Sequence, residues 1–157
     1  MIQPQYWSLM TLYYRWKYGK YVNSEYPSLD VQDKVVLDVG AADGDTARWW
    51  FKHGARHVIC IEKNPSQARK IKMENTTVLN EYFKLDHLKL YHDCMKMDIE
   101  GYEALLLPYL DAGGKLKPTA MEVHNWYLVE QFTRHGFRPV TSPDPMLGTC
   151  VMVNYPV

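Results

Sequence analysis

Apolar residues in this chain gather into runs of four to seven, VVLDVG, HVICIE, TTVL, CMKMDIE, TAMEVH and CVMVNY, each bounded by polar or turn-forming residues. Runs so short and so rich in Val, Ile, Leu and Met predict strands covered on both faces. The stretches between them predict helices. DTARWWFKHG begins with Asp43 or Asp45 as N-cap and ends at Gly54, suited to the left-handed turn after a helix. NPSQARKIKMEN offers Asn64 as cap and Pro65 at the first helical position, where a missing N–H costs nothing. In YEALLLPYLDAGG a helix is interrupted or ended near Pro108 and closed by Gly113 and Gly114, and NWYLVEQFTRHG runs from Asn125 as cap to Gly136. Ahead of all these, the first 26 residues hold eight aromatics, and Trp7, Met10, Tyr14, Tyr18 and Tyr21 share one face of a predicted amphipathic helix.

Strands alternating with helices predict an α/β three-layer sandwich, with a mainly parallel Rossmann-like sheet and helices on both faces. Arg138–Thr141 and Thr149–Tyr155 are joined by SPDPMLG with no helix between, so they predict an antiparallel hairpin at the C-terminal edge of the sheet. Without a repeat or linker, residues 1–157 read as one domain, with 1–26 as an aromatic N-terminal segment and 33–157 as the core.

Composition narrows the class. With 46% hydrophobic residues in 157, the chain can bury a sizeable core, which excludes a disordered protein. Eighteen basic side chains balance eighteen acidic ones, so no global field draws it to nucleic acid or an anionic membrane. Three widely spaced cysteines, Cys60, Cys94 and Cys150, suit reduced core thiols. No apolar run approaches the roughly 20 residues of a bilayer span, and MIQPQYWSLM lacks the basic flank and apolar stretch of a secretory signal. The expectation is a cytoplasmic protein with no membrane partner, in which the aromatic N-terminal face covers the sheet, closes over a substrate or makes a homodimer.

The first predicted strand delivers Asp38-Val39-Gly40-Ala41-Ala42-Asp43-Gly44 into a helix, at the edge where open α/β sheets hold ligands. Gly40 and Gly44 permit a tight turn and close approach, and free N–H groups at the helix start can hold an anion. Glu62 ends the second strand 24 residues after Asp38, where a carboxylate can accept both hydrogen bonds of a ribose diol. A tight turn beside a solvated strand-end acid would use the same residues, but the combination points to an adenosine-type ligand. The spacing lacks the third glycine of G-x-G-x-x-G, which disfavours a nicotinamide dinucleotide, and there is no triphosphate loop. Asp38 would repel a pyrophosphate and suits the ammonium of a methionine moiety. The D-x-G-x-x-x-G string resembles the first motif of S-adenosylmethionine-dependent methyltransferases with a Rossmann-like fold. That resemblance implies S-adenosylmethionine as cofactor, held by Asp38, Gly40, Ala41, Gly44, Glu62, Asn80 and Asp98, with Asn80 and Glu81 where the adenine lies or simply in a turn.

A second constellation, Lys96-Met97-Asp98-Ile99-Glu100-Gly101-Tyr102-Glu103, puts charges on an apolar strand, which rarely happens without a use. It resembles the K-x-D-x-E-G-x-E signature of the FkbM family of methyltransferases, and Met121-Glu122-Val123-His124 is similar to that family's I-E-x-H stretch. The resemblance runs from Val35 to about Val140. Departures are Ala42 in place of the family's common Asn, Lys63 in place of Pro, and a short segment between Glu62 and Asp93.

Methyl transfer needs the acceptor about 3 Å from the methyl, in line, with its proton removed and water excluded. His124 is the candidate base, with an ordinary pKa near neutral, oriented by Glu122 or Asp98. Asp98, Glu122 and His124 could instead hold a divalent cation that activates a hydroxyl, or could be hydrogen-bonded loop supports. Taken singly, Lys96 reads as the partner of a neighbouring carboxylate. The leading expectation is an S-adenosylmethionine-dependent O-methyltransferase of a small or sugar-like acceptor. The alternative is a non-catalytic binding module that keeps the fold.

Overall fold

The computed structural model describes residues 29–140 and 149–154. The aromatic segment at 1–26 and the loop SPDPMLG lie outside the described residues. Seven strands follow one another as β1 (Val35–Val39), β2 (His57–Ile61), β3 (Thr76–Leu79), β4 (Cys94–Met97), β5 (Thr119–Val123), β6 (Arg138–Pro139) and β7 (Cys150–Asn154). They form one sheet in the order β3-β2-β1-β4-β5-β7-β6. β1 to β5 are parallel, whereas β7 runs antiparallel to both β5 and β6. The mainly parallel sheet and the antiparallel C-terminal hairpin are as the sequence predicts. β7 is inserted between β5 and β6, which leaves the two-residue β6 at the edge.

The pleat explains the layers. Val36, Cys94, Ala120 and Val153 face one side, where they pack with Trp49 and Trp50 of α1 (Asp45–Lys52). Leu37, Val39, Met95, Met97, Met121 and Val123 face the other, against Leu110 of α3 (Leu107–Asp111) and Leu128 and Phe132 of α4 (Trp126–Arg134). Alternate residues of each strand feed opposite cores, so helices must cover both faces.

Local chemistry sets the helix ends. Asn125 caps α4, its side chain accepting from the Tyr127 N–H at 2.8 Å. Neither Asp43 nor Asp45 caps α1. The N-cap is Gly44, at φ +90°, and Asp45 is the first helical residue, paired with Arg48. α2 is a single turn, Pro65–Ala68, capped by Asn64 as expected but far shorter than the predicted stretch; beyond it the chain turns at Arg69 and Lys70 and buries Ile71 without continuing the helix. Pro108 does not end a helix. A 3-10 turn covers Tyr102–Leu106, and Pro108 stands in the first turn of α3, which needs no proline N–H.

Candidate functional site

A cavity of about 400 Å³ opens at the carboxyl ends of β1, β2 and β4, within the 300 to 1,000 Å³ usual for small ligands. Gly40, Ala42, Glu62 and Asp98 line it, with apolar walls from Ile61, Phe83, Ile99 and Leu105. Gly40 is required there by sterics. Its φ is +76°, and a Cβ would fall 1.8 Å from the Asp98 carbonyl oxygen, so any side chain would push apart the ends of β1 and β4.

Glu62 is nearly buried on the cavity wall. Its Oε2 accepts the Ala42 N–H at 2.9 Å and its Oε1 the Asn64 N–H at 2.7 Å. Each oxygen keeps a second lone pair, so the carboxylate can still receive a diol. Three more amides, all ahead of the helix start where the sequence predicts free N–H groups, are engaged within the fold. Gly40 and Ala41 both donate to the Ile61 carbonyl, and Gly44 donates to the Ala41 carbonyl. These bonds tie the turn to the end of β2 and shape the cavity floor.

Of the residues expected to hold the cofactor, Gly40, Glu62 and Asp98 meet at the cavity. Asp38, Ala41, Gly44 and Asn80 do not line it. Gly44 instead makes room for Met73 and Ile71, 3.1 and 3.3 Å from where its Cβ would be. Asn80 donates from Nδ2 to the Glu62 and Lys63 carbonyls at 2.7 and 3.2 Å, which fixes the chain leaving β2. Asp38 is fully buried beneath α1, where Oδ2 accepts from Thr46 Oγ1 at 2.6 Å and Trp50 Nε1 at 3.1 Å. Lys96 Nζ stands 3.3 Å from Asp38 Oδ1 and donates to the Gly40 carbonyl at 2.7 Å. Burial works against the Lys96 charge, but Asp38, Asp98 and Glu122 outweigh it and raise its pKa above the ordinary lysine value. Lys96 is therefore a sealed partner of Asp38 that staples the Gly40 turn.

A second group of charges surrounds His124, just past β5. Its Nδ1 lies 3.1 Å from Glu103 Oε1. Its Nε2 lies 3.6 Å from Glu100 Oε2, 3.7 Å from Asp98 Oδ1 and 4.0 Å from Glu122 Oε1. The sequence placed His124, Asp98 and Glu122 together and the structure does bring them together. The orienting residue is Glu103, however. Wholly buried, its Oε1 also accepts the Ile99 and Gly101 N–H groups at 3.2 Å. Burial alone would raise the Glu103 pKa, but the His124 ring and backbone N–H donors, that of Gly101 among them, hold it below the usual glutamate value. Burial likewise pulls against a charged His124, yet Glu103, Glu122 and Asp98 prevail and push its pKa up to about 9. With no further cation present the imidazole is protonated at neutral pH, in contrast to the near-neutral base expected from its ordinary value.

The sequence singled out none of the aromatic parts of the cavity. Tyr82 and Tyr102 stand exposed at the mouth, with Lys63 Nζ 5.7 and 5.4 Å from their ring centres. Their only signal was position, Tyr82 three residues past β3 and Tyr102 five past β4. No helix among the described residues is long and apolar enough to cross a membrane.

No family model matches this chain, and no curated protein does. Solved structures do. Ribosomal protein L11 methylase from Lactobacillus delbrueckii subsp. bulgaricus superposes with a TM-score of 0.62 at 13% identity, covering 88% of this chain and 78% of that one. An S-adenosylmethionine-dependent methyltransferase from Mesorhizobium loti gives 0.57 at 13% identity over 84% and 99%. An rRNA methylase from Streptococcus thermophilus gives 0.56 at 10% identity over 80% and 89%. The likeness is one of fold, and the fold is the Rossmann-like one of S-adenosylmethionine-dependent methyltransferases.

Proposed function

We propose that this chain is an S-adenosylmethionine-dependent O-methyltransferase of the FkbM kind, acting on the hydroxyl of a small or sugar-like acceptor. The observation that carries the reading is the placement of Glu62, at the end of β2, on a cavity whose floor is the Gly40 turn and whose far wall is Asp98. A diol-accepting acid on one side and a second carboxylate on the other fit an adenosine bearing a cationic tail. When bound, S-adenosylmethionine supplies an electrophilic methyl on a sulfonium sulfur.

The residues divide the work. Glu62 receives the ribose hydroxyls, and the Ile61 and Phe83 walls accept the flat adenine. Asp98 offers its charge to the cationic end. Because Asp98 belongs both to this cavity and to the group around His124, the methyl and the acceptor would meet there. An acceptor hydroxyl held beside Asp98 would face the group of Asp98, Glu122 and His124, whose carboxylates would take its proton while the charged His124 ring holds them in place. Asp38 supports the turn from beneath, through Lys96.

The neighbours named above are methylases of a ribosomal protein and of rRNA, among others, so they do not select an acceptor. The balanced charge of this chain favours a small one over a polyanion. The test is transfer of labelled methyl groups to a panel of sugars, polyols, phenols and amines. Hydroxyl compounds should be labelled, His124→Ala should keep cofactor affinity and lose most transfer, and Glu62→Ala should lose affinity. Labelling of amines alone would overturn O-methylation. Cofactor binding without transfer to any compound would favour a non-catalytic binding module.

A further inference from the structure

Four carboxylates, Asp98, Glu100, Glu103 and Glu122, converge on one imidazole within 4.0 Å. His124 can supply at most one positive charge against them. Lys96, the buried cation nearby, bonds to the Gly40 carbonyl and stands 3.3 Å from Asp38, and although its field also reaches Asp98 and Glu122, these two cations face five carboxylates, Asp38 included. Glu103 deepens the imbalance, since it has no exposed surface and its Oε2 has no hydrogen-bond partner among the described residues. A buried carboxylate left in that state is costly unless positive charge stands close by.

The donors are also arranged for more than charge. Single atoms of Asp98, Glu100 and His124 all lie within 4.8 Å of one another. The Nε2 separations of 3.6 and 3.7 Å from Glu100 and Asp98 need to close only slightly to reach the about 3 Å between adjacent ligands of an ion with bonds of about 2.1 Å. With Nδ1–H donating to Glu103, Nε2 is the nitrogen left facing these oxygens, and an ion that displaces its proton would meet the carboxylate–histidine support that metal-bound imidazoles use. An ammonium ligand would need the acids but not that nitrogen. One nitrogen and two carboxylate oxygens suit a divalent ion of intermediate hardness, such as manganese.

We infer that Asp98, Glu100 and His124 bind one divalent cation, with Glu103 positioning the histidine and Glu122 beside the site. Glu100, 79% exposed, is the ligand that must swing in, and it ties the loop after β4 to the end of β5. The ion leaves coordination positions open on the cavity side for water or an acceptor hydroxyl, whose proton it makes easier to remove. That role rests on the methyl-transfer reading, whereas the binding itself does not.

The experiment is calorimetric titration of the whole cofactor-free chain with Mn²⁺, paired with electron paramagnetic resonance of the bound ion. One Mn²⁺ per chain is expected, with a spin-echo signature of a directly bonded nitrogen. Glu100→Gln, an exposed change that leaves folding intact, should weaken binding at least tenfold, and His124→Gln should do the same and erase the nitrogen signature. Absence of saturable Mn²⁺ binding up to millimolar concentration, or binding that neither variant changes, would overturn the site. S-adenosylmethionine affinity is measured separately on the same samples. Mn²⁺ bound without cofactor affinity would sink the methyltransferase reading and uphold the ion site, and the converse would do the reverse.

Discussion

Lys96 and His124 each sit among acids at the carboxyl ends of neighbouring strands, and the protein uses them in opposite ways. Lys96 is 2% exposed, its charge matched by Asp38, and its remaining donors go to backbone carbonyls of the Gly40 turn. His124 faces more acids than it can neutralise, and three of them, Asp98, Glu100 and Glu122, retain exposure of 27% to 79%. The first group is closed and balanced, and it holds a loop in shape. The second is open and unbalanced, so it has capacity for a ligand. Charges on an apolar strand thus carry two meanings, and the balance of charge together with access to the cavity distinguishes them.

The sharpest way to break the comparison is to remove a cation from the closed side. Lys96→Met leaves Asp38 buried without its partner and should cost about 3–5 kcal/mol, read as a large fall in the denaturation midpoint. Cys60 reports the same event. Burial and the nearby Asp38 push its thiol far above the ordinary value, with Lys96 pulling the other way, so thiol reagents should leave it unlabelled at pH 8 in the native protein and label it once the fold loosens.

On the open side, Glu103→Gln should act on titration more than on stability. The His124 pKa, raised from 6.5 to about 9 in the ion-free protein, should fall well below 9, measured by nuclear magnetic resonance of the ring. A base whose folded pKa is raised stabilises the fold fully below pH 6.5, and the contribution fades as pH climbs through about 9. The ion-free protein should therefore lose stability across that window, and Glu103→Gln should flatten the loss. Smallest of all, Glu100→Gln should shift stability by under about 0.5 kcal/mol, because its side chain stands mostly in water. A large destabilisation there would erase the distinction between the two groups.

Much of this was legible from residue order. The strands announced themselves because both faces of the sheet are buried, which leaves continuous apolar runs, and Asn64 and Asn125 announced the helix starts they cap. The grouping of His124, Asp98 and Glu122 was legible because adjacent parallel strands end together. Asp38 could have been placed more closely. Two residues from Val36, it shares that residue's face beneath α1 and points away from the cavity. Glu103 could not be assigned from spacing, because its reach to His124 depends on the 3-10 turn that starts at Gly101, with φ +96°. The length of α2 was overread because Ile71 is buried from outside the helix, and the bonds of Gly40 and Ala41 to Ile61 depend on a neighbouring strand that no local pattern reports.

On the proposed reading, the cavity over the Gly40 turn takes S-adenosylmethionine. Titration calorimetry of the whole chain with S-adenosylmethionine, S-adenosylhomocysteine and NAD tests it most directly. Saturable binding of the first two at micromolar concentration is expected, lost in Gly40→Val, where the added side chain collides with the Asp98 carbonyl, and no binding of NAD. Binding of NAD alone, or of none of the three by a folded protein, would contradict it.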